Sequence, residues 1–141
     1  MKNVIYTGIF FNKTVGENTI LNSVVLEKGI EYPHVTFKFR PSESELKKFV
    51  TIAGEVSTVA CTAYGIDNDN EGYLVDIVNA SFKMKEAFYK IEVPHITTGL
   101  GTNGKAVNTR FLEFKPIDPP ILLAGRFGFF TDKGVVFSLP S

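Results

Sequence analysis

The chain has 141 residues, 44% of them hydrophobic and 13 of them Phe, which is enough apolar volume for one compact domain and too little length for a second. Its 15 basic and 15 acidic residues cancel, which excludes the overall positive field that holds long duplex DNA and leaves a small anion or a strand end as partner. The single cysteine, Cys61, has no intramolecular partner and completes no zinc site with only two histidines, so a reducing, cytoplasmic setting is expected.

Strands are expected wherever Val, Ile, Phe, Tyr and Thr cluster between Gly, Asn, Asp and Pro. The first covers residues 3–11, so the chain enters an apolar strand almost at once. No apolar run approaches the roughly 18 residues of a bilayer span, and neither secretion nor membrane insertion is expected. Thr19 to Leu26 fits helix or strand: Ile20, Leu21, Val24 and Val25 have helical spacing, while the β-branched content argues the other way. A strand over 34–39 leads to the best-marked helix, where Ser42 and Glu45 form a capping box. Leu46, Phe49, Val50 and Ala53 then repeat at helical spacing, and Gly54 supplies the stop. Further strands are predicted over 55–64, 72–82, 91–98, 107–114, 121–130 and 133–139. Asp67 to Gly72, Thr102-Asn103-Gly104 and Thr131 to Gly134 provide turn chemistry. No linker divides the chain, so 1–141 reads as a single domain.

The only two histidines lie in near-identical tetrapeptides, Pro33-His34-Val35-Thr36 and Pro94-His95-Ile96-Thr97. From composition, chance placement of both prolines and both threonines is about a 10⁻⁵ event. Strand alternation puts His34, Thr36 and Lys38 on one face and Val35, Phe37 and Phe39 on the other. His95 and Thr97 share a face in the same way. Imidazole, with an unperturbed pKa of about 6.5, takes or gives a proton near neutrality. Two of them flanking one phosphorus would serve in-line displacement, one deprotonating the attacking oxygen and the other protonating the leaving oxygen. The hydroxyls of Thr36 and Thr97 would donate to the non-bridging oxygens. This chemistry needs no metal and no cofactor.

Two His-apolar-Thr motifs in a small strand-rich chain resemble the two-histidine phosphoesterase superfamily. Its members include cyclic phosphodiesterases of the RNA-ligase-like type, RNA-trimming nucleases and phage enzymes that cut cyclic oligonucleotides. The segments Tyr6-Thr7-Gly8-Ile9-Phe10 and Gly54-Glu55-Val56 are similar to the first strand and the post-helix strand of such enzymes. The resemblance implies an α+β fold with two lobes of mainly antiparallel sheet around a central cleft, the motif strands central and one or two helices outside. It carries over only His34, Thr36, His95 and Thr97.

Other residues carry weaker signals. Lys38 shares the inferred catalytic face, Lys105 could reach a bound anion, and Tyr6 could stack on a base. Those three are the candidate substrate-binding residues. Tyr64 offers a second aromatic platform, and Arg40 and Arg110 could line the cleft, although exposed basic residues usually serve solubility. Gly99 to Lys105 imitates a phosphate loop, but Ala106 replaces the hydroxyl that would hold magnesium and no helical period follows. Asp67 to Gly72 imitates a calcium loop whose twelfth position is Val78 where a carboxylate is needed. Cys61 alternates with Val59 and Ala63 as an inert buried thiol. The expected activity is metal-independent phosphodiester cleavage of an RNA-like or cyclic nucleotide. The rival reading is a binder that sequesters a cyclic nucleotide or RNA end without turnover.

Overall fold

A computed structural model describes residues 3–140. The fold is mixed α+β. Eight strands form one sheet in which every pairing is antiparallel. In chain order they are β1 (Val4–Phe10), β2 (Lys28–Gly29), β3 (His34–Phe39), β4 (Val56–Ile66), β5 (Asn70–Asn79), β6 (His95–Leu100), β7 (Lys115–Thr131) and β8 (Gly134–Val136). The sheet order is β2-β6-β5-β4-β7-β1-β3, with β8 on β7. The long β7 joins two lobes: its first part pairs with β4 and its last part with β1.

Helix α1 (Glu43–Val50) starts at the expected capping box, with the Ser42 amide donating to Glu45 at 2.8 Å and the Glu45 amide to the Ser42 hydroxyl at 3.2 Å. Helix α2 (Phe82–Phe88) overlaps the predicted 72–82 strand only at Phe82 and otherwise fills a stretch to which the sequence reading gave no element. Ser81 caps it through the Met84 amide, and Met84 and Phe88, four residues apart, are both buried. One sheet face forms the core with Ile9, Val35, Val59, Cys61, Ile96 and Phe127, all 0% exposed. Phe37 and Phe49 pack on Phe127 at ring distances of 5.1 and 5.7 Å. A 3₁₀ turn over Gly16–Asn22 takes in the first part of the open Thr19 to Leu26 segment, whose remainder is neither helix nor strand, and a second 3₁₀ turn over Ala106–Phe111 replaces the strand predicted for 107–114. Among the described residues no helix is long and apolar enough to cross a membrane.

The two motif strands are built alike. On β1 and β3 the pairs are Phe10 with His34, Ile9 with Val35, Gly8 with Thr36, and then, past a bulge, Thr7 with Lys38. On β5 and β6 they are Leu74 with His95, Tyr73 with Ile96, Gly72 with Thr97, and past an equivalent bulge Glu71 with Gly99. Each proline carbonyl accepts the next amide in the ladder, from Phe11 at 3.0 Å and from Val75 at 3.1 Å. Each motif threonine therefore faces a glycine. A methyl on Gly8 would lie 2.0 Å from the Val35 carbonyl oxygen, and one on Gly72 would lie 2.3 Å from that of Ile96. Only a residue without a side chain permits so close an approach of paired backbones.

By hydrogen bonding the motif strands lie toward the two ends of the sheet, not at its centre where the resemblance had placed them. Curling of the sheet brings those ends together, and β3 packs against β6. Proline has no amide to donate, which suits the start of a strand with an open edge.

Candidate active site

Each histidine follows its proline as the first residue of its strand, and each ring is fixed by the carbonyl two residues upstream. His34 Nδ1 lies 2.8 Å from the Tyr32 carbonyl oxygen, and His95 Nδ1 lies 2.8 Å from that of Val93. A carbonyl only accepts, so both Nδ1 atoms carry the proton and both Nε2 atoms keep the basic lone pair. Neither Nε2 has a hydrogen-bond partner among the described residues.

Both imidazoles are half-buried. Burial is the chief cause that lowers the pKa of each below its ordinary value, partly opposed by the carbonyl bond to the imidazolium. The charge of His95 lowers His34 further, and the charge of Arg110 lowers His95 further. The β3–β6 contact sets the two motif strands against each other. Around neutrality the resting pair is mostly neutral.

The surroundings of the two rings differ. His34 sits in an aromatic nest: Tyr6 stacks on it at 4.5 Å, Phe10 lies at 5.4 Å, and Phe130 backs Tyr6 at 5.0 Å. The Tyr6 hydroxyl is 3.4 Å from His34 Nδ1, a weak second contact to a proton already given to Tyr32. Burial pushes the Tyr6 phenol up to about 12. Thr36 is partly open, and its hydroxyl makes no hydrogen bond among the described residues.

Thr97, by contrast, is buried in a directional chain. Asn70 Nδ2 donates to Thr109 Oγ1 at 3.0 Å, Thr109 and Thr97 hydroxyls meet at 2.8 Å, and Thr97 donates to the Ala106 carbonyl at 3.3 Å. The Asn70 amide also holds the Lys105 carbonyl at 2.7 Å. The segment from Lys105 to Thr109 is strapped over the second motif, and its weakest link is the long bond from Thr97 to Ala106.

Lys38 does not join the His34 row. The bulge at Phe37 reverses the alternation, so Lys38 pairs with buried Thr7 on the α1 side and its Nζ lies 3.5 Å from Glu45 Oε2. Phe39, opposite Tyr6, takes the face that Lys38 was expected to occupy. Lys105 is exposed in the strap. The glycines beside it serve packing rather than an anion: Gly101 donates to the Asp69 carbonyl at 2.8 Å, and a Cβ on Gly104 would meet the Asp69 oxygen at 1.9 Å. Arg110 is the cation whose charge lowers the pKa of His95, and its guanidinium lies 4.8 Å over Phe111. Helix-like spacing between Lys105 and Thr109 was too short to show this in the sequence.

Glu71 stands where Thr7 stands in the first half, and it is fully buried. Its Oε1 accepts the Val25 and Leu26 amides at 2.9 and 3.1 Å, and its Oε2 accepts the Tyr64 hydroxyl at 2.5 Å. Tyr64 is thereby a structural donor rather than a free stacking platform, its own pKa raised by burial and by the carboxylate. Cys61 is buried, and burial pushes its thiol up to about 12. Among the described residues no three His, Cys, Asp or Glu side chains cluster as a metal would need. The chain matches no protein-family model and no curated protein sequence.

Proposed function

We propose that the protein is a phosphodiesterase of the two-histidine type, cleaving an RNA-like or cyclic nucleotide phosphodiester with His34 and His95 as its acid–base pair. The observation that carries the reading is the matched anchoring of the two rings, each holding its Nδ1 proton on a carbonyl and leaving Nε2 without a partner among the described residues, on two strands that pack against each other. In the reactive form the pair holds one extra proton. The neutral Nε2 takes the proton of the attacking oxygen, from water or a neighbouring ribose hydroxyl, as that oxygen bonds to phosphorus. The protonated Nε2 gives its proton to the oxygen whose bond to phosphorus breaks.

Thr36 offers its free hydroxyl to a non-bridging oxygen, and Thr97 does so by turning its hydroxyl hydrogen bond from the Ala106 carbonyl to the phosphate, the proton staying on its oxygen. Arg110 supplies positive charge on the His95 side. The test is to incubate the protein with 2′,3′-cyclic mononucleotides, cyclic dinucleotides and short RNA, with and without a chelator, and to identify products by mass. Cleavage insensitive to the chelator supports the reading. Tight binding without any product contradicts it and marks a sequestering protein instead.

A further inference from the structure

Cross-strand pairs place His34, Phe10 and Arg126 in one transverse row over three neighbouring strands: His34 on β3 faces Phe10 on β1, and Phe10 faces Arg126 on β7. Residues directly opposed in a sheet project to the same side. Arg126 is therefore on the His34 side of the sheet, two strand spacings or roughly 10 Å along it. That span exceeds a single phosphate group. The guanidinium is held in place by a bond from Nε to the Gly54 carbonyl at 3.2 Å and by Phe137, over whose ring it lies at 4.5 Å.

An open cavity of about 690 Å³ occupies this region, lined among others by Phe10, Tyr32, Phe137, Lys13, Arg126 and Glu31. Its volume falls in the range of small-molecule sites. It adjoins the catalytic pair at two points: Phe10 lies 5.4 Å from the His34 ring, and the Tyr32 carbonyl anchors that ring. Lys13 Nζ donates to the Ile30 carbonyl at 2.7 Å and has two further protons to offer. Aromatic faces beside two cations and a single carboxylate suit a base and its phosphate. The row through His95 has no counterpart, since Leu74, Ala63 and Pro116 follow it on β5, β4 and β7.

We infer that this cavity is a subsite for one further nucleotide of the substrate, its base against Phe137 and its phosphate on Arg126 and Lys13. The substrate is then at least two nucleotides long and lies in one direction, with its extension on the His34 side. The inference rests on the phosphodiesterase reading for its catalytic meaning, but the site itself is testable without turnover.

Two measurements separate the two. In the first, 5′-AMP is titrated into the protein and followed by amide NMR. Shifts are expected around Phe10, Gly125, Arg126 and Phe137, with affinity about tenfold weaker in both Arg126→Gln and Lys13→Gln. Arg126→Gln retains a donor for the Gly54 carbonyl, and melting curves check that both variants are folded. Shifts elsewhere, or unchanged affinity in the variants, overturn the subsite whatever the activity.

In the second, kcat/KM for a dinucleotide ending in a 2′,3′-cyclic phosphate is compared with that for the cyclic mononucleotide. A ratio of at least tenfold is expected, falling several-fold in either variant. Equal values overturn the subsite while leaving the phosphodiesterase reading intact. AMP binding at the cavity with no turnover of any substrate overturns the catalytic reading and leaves the nucleotide site.

Discussion

Adding one methyl at Gly8 should damage both stability and activity. The new Cβ would meet the Val35 carbonyl oxygen at 2.0 Å and its carbon at 3.0 Å. Ordinary contact begins near 3.4 Å, so β1 and β3 must separate by more than 1 Å at the rung between Val35 and Thr36. The obstacle is paired backbone, which has no rotamer to change. Overpacking of this kind costs about 1–3 kcal/mol, and the upper end applies here. For a domain of this size about 3 kcal/mol lowers Tm by roughly 6–12 °C.

The displaced rung lies beside His34, and a misplacement of about 1 Å in a reacting group costs about 100-fold in rate. Thermal melting and kcat/KM on the substrate identified by product mass provide the assay. Gly72→Ala should behave alike, because its Cβ would meet the Ile96 oxygen at 2.3 Å and Thr109 Cγ2 at 2.7 Å. Gly29→Ala, whose nearest neighbour would be Val24 Cγ2 at 3.9 Å, is the control and should stay within about 0.5 kcal/mol. A Gly8→Ala protein melting within about 2 °C of the parent, with unchanged turnover, would refute the matched register on which the site is built.

Three further outcomes are expected. Glu71→Gln keeps an oxygen for the Val25 and Leu26 amides but turns an amino group toward the Tyr64 hydroxyl, so stability should fall by about 1–3 kcal/mol in denaturant titration; an unchanged midpoint would contradict the buried network. Both histidines have lowered pKa values in the folded protein, so the unfolded chain takes up protons first as pH falls through about 6.5 and stability should drop below that pH. His34→Gln should flatten that acid loss in melts recorded from pH 7.5 to 5, and an unaltered slope would count against its burial. Thr97→Val leaves the Ala106 carbonyl and the Thr109 proton without their partner and should cost about 1–2 kcal/mol while lowering kcat, whereas Thr36→Val should lower kcat with little change in Tm.

The sequence made the histidine pair legible because Pro, His and Thr recur at fixed spacing, and the α1 start legible because Ser42 and Glu45 state their capping roles locally. It hid the bulges. They lie beside the close approach of Gly8 to Val35 and of Gly72 to Ile96, between residues on different strands. Missing them put Lys38 on the wrong face, although Thr36, which precedes the bulge, was assigned correctly to the His34 side. Helix α2 went unassigned, with only its first residue, Phe82, counted at the end of a strand; the Ser81 cap with Met84 and Phe88 four residues apart was the available signal. The rows that bring Arg126 to Phe10, and the strap that brings Arg110 toward His95, exist only once strands are paired. No local pattern encodes them.

The central claim is that two imidazoles act on one phosphorus as a unit. Its most direct measurement is the kcat/KM of His34→Ala, His95→Ala and the double variant on the same phosphodiester, with folding verified by melting. Each single change should lower kcat/KM by about 10²–10⁴, and the double variant should be little worse than the poorer single one. Wild-type turnover in either single variant, or losses that multiply in the double, would show that the two rings do not share a reaction.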